Sequence, residues 1–235
     1  MSGVAENIER LRERIDTAAA HAGRSPAGIQ LMAVTKTQPA ELVNQAIAAG
    51  VTLLGENRAQ ELCERYEQYD LHKGVDIHFI GHLQTNKVKI ILGKVSTVQS
   101  VGSLRLAQEI SKQGEKVGVT TDLLLEINIG EEESKAGAAP AQAHELSRQI
   151  ALLPFVKLRG LMAIPPIWCE RGQGERFFAQ MQEMLVDIRG KKIDNISMDV
   201  LSMGMTDDLE IAIKHGSTLV RVGTAIFGRR HYGQR

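Results

Sequence analysis

Lys36 closes the apolar run LMAVTK, and Pro39 stands three residues beyond it. A flexible cation at the end of a segment suited to a buried strand projects over whatever the strand's carboxyl end borders. An amine held there, partly desolvated and near a second cation, has its neutral form favoured, which is what Schiff-base chemistry with an aldehyde needs. The second cation is Arg221, in TLVRVG, and Gly223 and Thr224 follow it. Glycine lets the backbone approach a ligand closely, and threonine adds a hydroxyl donor and can cap a following helix. Ser202 and Gly204, in LSMGM, offer a matching hydroxyl and N–H. A strand-end lysine alone is most often a solvated edge residue, and Ser202 or Thr224 alone reads as a helix cap. Together, an amine beside an anion cradle points to a phosphorylated carbonyl ligand.

These residues need elements that bring them to one place. The opening segment sets Val4, Ile8, Leu11, Ile15 and Ala18 at three- and four-residue steps before Gly23, which predicts an amphipathic helix ahead of the main repeat. From Ile29 short apolar runs alternate with segments of helical period. Strands are expected at 29–35, 52–55, 76–80, 95–100, 122–128, 158–164, 196–202 and 218–222. Helices are expected near 39–49, 57–70, 84–93, 103–114, 140–152, 173–190 and 206–215, with a short one from about 225. Runs apolar on both faces and joined by helical crossovers form a parallel sheet. Eight such units in 235 residues close most naturally into an α/β (β/α)8 TIM barrel, whose usual size is roughly 250 residues. An open doubly wound sheet is the rival, but the first strand ends in lysine where a GxGxxG would stand. No linker or shift in composition divides the chain, so residues 1–235 are expected to form one domain. Chemistry in such a barrel sits at the carboxyl ends of the strands, where Lys36, Asn57, His82, Asn128, Ser202 and Arg221 all fall.

Other features are bland. Lys and Arg number 28 against 28 Asp and Glu, so no global field favours nucleic acid or an acidic membrane. With aromatics at 4 %, there is no stacking surface for single strands, and the lysines near Gln84 read as an exposed helix start. Cys63 and Cys169 have no disulfide or metal spacing, which fits a reducing, cytoplasmic compartment. No apolar run approaches the roughly 20 residues of a membrane span, and no signal peptide opens the chain. His78 and His82 lie on a strand and its loop with no third ligand nearby, so zinc is not expected. Asp207 and Asp208 read as a helix N-terminus. Glu131, Glu132, Glu133 and Lys135 read as a solvated loop, with a lid over the ligand as the other option. The methionines are core fillers.

The strings AVTK (33–36), GEN (55–57), HFIGHLQTNK (78–87), RGLMAIP (159–165), LSMGMTDD (201–208) and STLVRVGTAIFG (217–228) closely resemble the pyridoxal phosphate homeostasis proteins, over nearly the whole chain. The resemblance implies a barrel like the N-terminal domain of alanine racemase, with pyridoxal 5'-phosphate (PLP) held as a Schiff base on Lys36. It places Arg221 at the pyridine nitrogen and gives the phosphate to Ser202, Gly223 and Thr224, beside which the Gly204 N–H read above would stand. Asn57 and the HFIGHLQTNK segment would line the mouth.

An arginine at the pyridine nitrogen is a charged, donor-only group that disfavours a proton there, so a carbanion would be poorly stabilised. Alanine racemase adds a second domain and a partner-supplied tyrosine; here the sequence ends at Arg235, and Tyr232 is too close to the barrel to substitute. The expectation is a monomeric carrier or regulator of PLP, not an efficient enzyme, with PLP-dependent apoenzymes as candidate partners and neither nucleic acid nor membrane. The alternative is an amino-acid racemase or related enzyme using His82 or Cys169 as a second acid/base. A cofactor-free Schiff-base aldolase is more distant.

Overall fold

The computed structural model of the protein describes residues 3–132, 135–166 and 173–228. The apolar stripe of the opening segment becomes the buried face of α1 (Val4–His21), and Gly23, at φ 65°, turns the chain out of it. Eight strands follow: β1 (Gln30–Val34), β2 (Leu53–Glu56), β3 (Asp76–Phe79), β4 (Thr97–Val101), β5 (Thr121–Ile127), β6 (Val156–Ala163), β7 (Ile196–Ser202) and β8 (Leu219–Val222). Between and after them run α2 (Ala40–Ala48), α3 (Ala59–Arg65), α4 (Val88–Ile91), α5 (Leu104–Val117), α6 (Ala143–Ala151), α7 (Gln173–Gly190), α8 (Leu209–Lys214) and α9 (Thr224–Phe227). Each strand pairs in parallel with the next, and β8 returns to β1, so the sheet closes as the expected (β/α)8 TIM barrel.

The helices depart from expectation more than the strands do. The helix expected over 84–93 is a 3-10 turn, Thr85–Lys87, plus the single turn of α4, because Leu92 is already extended and Gly93 adopts φ 79°. In contrast, α5 passes through Gly114 and stops at Gly118, at φ 69°. Gly114 is a close-approach glycine: a Cβ there would lie 2.6 Å from the Val119 carbonyl oxygen.

In a parallel pair, residues in register share a face. Met32 is in register with Arg221, Gly55 with His78, His78 with Thr97, Glu126 with Met162, and Met162 with Ser202. Met32 packs with Leu53 and Leu219 in a small apolar cluster separate from the large one between strands and helices. The face carrying Arg221, His78, Gln99, Glu126 and Ser202 is therefore the barrel interior. Its apolar filling is small, and polar side chains complete it.

Register shifts on both sides of β6 set which residues point inward. On β7 the shift is taken up at Met198, at φ 52°, whose carbonyl accepts from Arg189 Nε at 2.9 Å. Around the outside, α1 packs on α8 and α9 and ties down α9 itself and the loop before α8. Asn7 Nδ2 donates to the Ile226 carbonyl at 2.9 Å, and Arg14 Nη2 donates to that of Thr206 at 2.9 Å. No helix among the described residues is long and apolar enough to cross a membrane.

β6 and β7 approach each other tightly at Gly160, where a Cβ would meet the Val200 carbonyl oxygen at 1.7 Å. Gly160→Ala is expected to push the strands apart and cost about 3 kcal/mol, lowering the melting temperature by roughly 6–12 °C. Thermal unfolding checks this, with Gly28→Ala, where the added carbon meets nothing, as the control expected to melt like the parent.

Candidate functional site

Lys36 stands two residues past the end of β1, and the chain turns sharply after it. Thr37 sits in the left-handed region at φ 64°, and Gln38 N–H closes the turn on the Thr35 carbonyl at 3.0 Å. A non-glycine residue there is held by its surroundings. Thr35 is buried and its hydroxyl donates to Glu56 Oε1 at 2.6 Å; the Tyr69 hydroxyl donates to the same oxygen at 2.7 Å. Burial first, and the Glu56 carboxylate second, raise the Tyr69 phenol above its ordinary range, so it stays a donor. From α3, Arg65 donates to the Gln38 carbonyl and Glu61 accepts the Thr37 N–H at 3.3 Å. The base of Lys36 is thus fixed from the helix layer.

The Lys36 side chain borders a cavity of about 440 Å³ whose wall includes Val34, Thr206, Asp207, Arg221, Gly223 and Thr224. A Cβ on Gly223 would press on the Val34 carbonyl oxygen at 3.3 Å. Just behind, Gly204 is buried at φ 92°, and its carbonyl accepts from Arg221 N–H at 3.0 Å. A side chain at Gly204 would strike Ala212 Cβ at 2.6 Å. A larger groove of about 710 Å³ lies between α1 and α8, but those two helices alone line it and no strand end reaches it.

Arg221 is 5 % exposed. Nη1 donates to Ser202 Oγ at 2.7 Å and Nη2 to the Ala163 carbonyl at 2.9 Å. Burial pulls the guanidinium pKa down to about 10, against the opposing pull of Asp208 and Glu126. It remains charged at neutral pH. Burial raises the Glu126 carboxyl above the ordinary range, and the Arg221 charge offsets only part of that.

Of the residues singled out from sequence, Lys36, Arg221, Gly223 and Thr224 wall one cavity, with Gly204 directly behind it. The Ser202 hydroxyl is turned inward, between Arg221 and Gln99. Asn57 follows β2, and its Oδ1 is buried with no hydrogen-bond partner. Its backbone lies so close to Gly81 that a Cβ there would fall 2.0 Å from the Asn57 carbonyl oxygen. His82 is exposed, whereas His78 is inside the barrel. Asp207 lines the cavity; Asp208, just before α8, accepts from Met205 N–H at 2.5 Å. The β5 loop is held by Asn128, which bonds both the carbonyl and the N–H of Glu132, while Glu132 pairs with Lys135 at 2.8 Å. Glu133, Cys169 and Tyr232 lie outside the described residues. No group of three metal-ligating side chains occurs among the described residues. Sequence reasoning missed Gln99 and Glu126, although the polar residues within TVQSV and the lone glutamate within LLLEI were the available signals.

Residues 7–231 match the family model described as alanine racemase, N-terminal domain. The chain is 44 % identical over 234 residues to the pyridoxal phosphate homeostasis protein of Pseudomonas aeruginosa, covering 99 % of this chain and 98 % of that one. It is 39 % identical over 237 residues to the protein of the same name from Escherichia coli K12, covering both in full. Among solved structures it resembles PipY of Synechococcus elongatus PCC7942 with PLP bound, at TM-score 0.82 and 30 % identity, over 96 % of this chain and 100 % of that one.

Because the folded-state pKa of Glu126 is raised, its contribution to stability is fully present below the unfolded carboxylate value, about 4.3, and is lost as pH rises through the folded value. Glu126→Gln is therefore expected to be more stable than the parent at pH 8 and to converge with it near pH 4, measured as urea midpoints across that range.

Proposed function

Because this chain belongs to the pyridoxal phosphate homeostasis protein family, we propose that it binds PLP at the mouth of its barrel, with the Lys36 amine as the covalent attachment point. The observation that carries this reading is one cavity holding a strand-end amine, a buried guanidinium and the Gly223 and Thr224 loop. The donor set suits the ligand. Lys36 can take the aldehyde, and the Thr224 hydroxyl with the Gly223 and Gly204 backbone can take the phosphate. Arg221 can face the ring nitrogen. Asn57 Oδ1, buried without a partner, is an acceptor awaiting a donor at the same rim. PLP, when bound, supplies an aldehyde reactive toward amines and an electron-withdrawing ring.

The protein's own groups favour holding over turnover. Arg221 has no acceptor and keeps its charge, so it presents only N–H groups and disfavours a proton on the ring nitrogen. Its hydrogen bonds to Ser202 and Ala163 leave it little freedom to move away. Ser202 acts on the ligand through Arg221, since both of its hydroxyl bonds are inside the barrel. A racemase would need a second acid/base group opposite Lys36, and the candidate His82 is exposed and not part of the cavity wall. In this reading the protein is a cytoplasmic monomer that buffers PLP or delivers it to PLP-dependent apoenzymes.

Incubation with PLP is expected to give a visible absorption band that borohydride traps on the peptide containing Lys36, and Lys36→Ala is expected to lose both. A trapped adduct on another lysine, or no band at all, overturns the assignment. Amino acids added to the loaded protein are expected to keep their α-hydrogen over hours in deuterated buffer; Lys36-dependent exchange would favour the racemase. Arg221→Glu is expected to shift the band and raise slow transamination, and an unchanged spectrum and rate would place Arg221 away from the ring.

A further inference from the structure

Arg221 is the end of a hydrogen-bonded chain that no part of the binding chemistry yet uses. Arginine only donates, so Ser202 Oγ accepts from Nη1 at 2.7 Å. The Ser202 O–H is then free to donate to Gln99 Oε1, at 2.6 Å. With its oxygen engaged, Gln99 turns its amide nitrogen to His78 Nδ1 at 2.8 Å. An amide nitrogen also only donates, so Nδ1 is the bare acceptor and the His78 proton belongs on Nε2. That nitrogen faces Asp76 Oδ2 at 3.5 Å, and the same oxygen accepts from Ser96 Oγ at 2.6 Å. Every proton points from Arg221 toward Asp76, through side chains on β8, β7, β4 and β3. Gln99 and Ser202 are fully buried, so bulk water does not compete for their bonds.

We propose that Gln99, acting through Ser202, is a positioning residue that fixes the direction of the Arg221 guanidinium toward the ligand. A single guanidinium edge is spent on Ser202 Oγ, and Oγ keeps a lone pair for it because Gln99 takes the serine proton. Without Gln99 the hydroxyl is free to rotate its proton toward Arg221, which repels the guanidinium and releases its aim. His78 and Asp76 hold the far end by fixing which way the Gln99 amide faces. The carboxyl of Asp76 is raised by burial, but the bonds from His78 and Ser96 more than offset this and leave it below its ordinary range, so it remains the acceptor that the chain needs.

The ligand part of this inference rests on the PLP reading; the direction of the chain does not. In the ligand-free protein at neutral pH, nitrogen-15 signals of His78 are expected to show Nδ1 unprotonated and Nε2 protonated. The opposite tautomer overturns the proposal whether or not any variant folds. Gln99→Met keeps the volume of the side chain and removes both of its bonds. It is expected to abolish the single-tautomer signature and to weaken PLP binding about tenfold, with the same displacement of the ligand's absorption band as Ser202→Ala. The double variant is expected to bind no worse than Ser202→Ala alone. Additive losses, or unchanged affinity and band in Gln99→Met, overturn the positioning role. A parent protein that fails to bind PLP sinks the functional reading instead, and the His78 tautomer then decides the chain alone.

Discussion

A guanidinium removed from water must be met by acceptors, and in this protein that requirement organises three strands. Arg221 is buried inside the barrel, and its fixed partners are the Ser202 hydroxyl and the Ala163 carbonyl, with the Glu126 and Asp208 carboxylates near enough to oppose its loss of charge. Leaving such a charge without a partner costs roughly 3–5 kcal/mol. The register of β6 and β7 is therefore under strong constraint. A slip of one residue turns Ser202 to the helix layer and presents Leu201 or Met203 to the guanidinium. The irregularity at Met198 places Ser202 inward, and Arg189, reaching from α7 to the Met198 carbonyl, holds that irregularity in place.

The same logic of support from outside applies at both sides of the cavity. On the β1 side, Glu56 receives hydroxyl protons from Thr35 and Tyr69, and the turn at Thr37 follows at once. On the β8 side, α1 holds the carbonyls of Thr206 and Ile226 through Arg14 and Asn7. The helix that precedes the barrel repeat is thus more than a cover for apolar surface: it buttresses the loop after Gly204 and the short helix α9 after Gly223. Between these fixed rims, a lysine side chain has rotatable bonds enough to approach a ligand and withdraw from it.

Strands buried on both faces read as apolar runs, which is why all eight were legible before any coordinates and fall within about two residues of their expected limits. Helix ends were less legible because one glycine can mean two things. Gly118 ends a helix by its left-handed backbone, whereas Gly114 sits inside the same helix to admit the Val119 carbonyl. The strand-end residues Lys36, Arg221, Gly223 and Thr224 stood out in the sequence because barrel chemistry gathers at one end of the sheet, and they wall one cavity. Gln99 and Glu126 lie within strands, and whether such a residue points inward depends on register and bulges that no local pattern specifies. The inward bonds of Ser202 to Arg221 and Gln99 were hidden for the same reason: its sequence position read as a hydroxyl of the anion cradle, or as a helix cap, and neither reading specifies the register.

On the proposed reading, arginine in place of a carboxylate changes what the barrel can do with a ring nitrogen, and the interior chain makes that choice hard to reverse. A carboxylate would accept a proton shared with the ring; Arg221 can only offer one. Its pKa, lowered to about 10 by burial, still leaves it charged at neutral pH, so what it presents to the cavity remains a donor. Each member of the chain behind it is set by the one before: Ser202 must accept, Gln99 must take the serine proton, and His78 must keep Nδ1 bare. Substituting a carboxylate at position 221 would reverse the first bond and ask every later group to turn or change tautomer inside a closed barrel. Buried networks of this kind resist piecemeal change because a half-satisfied one is worse than none. The polarity of the site is therefore built into the filling of the barrel as much as into Arg221 itself, and on the proposed reading that polarity is what favours holding an aldehyde over stabilising a carbanion.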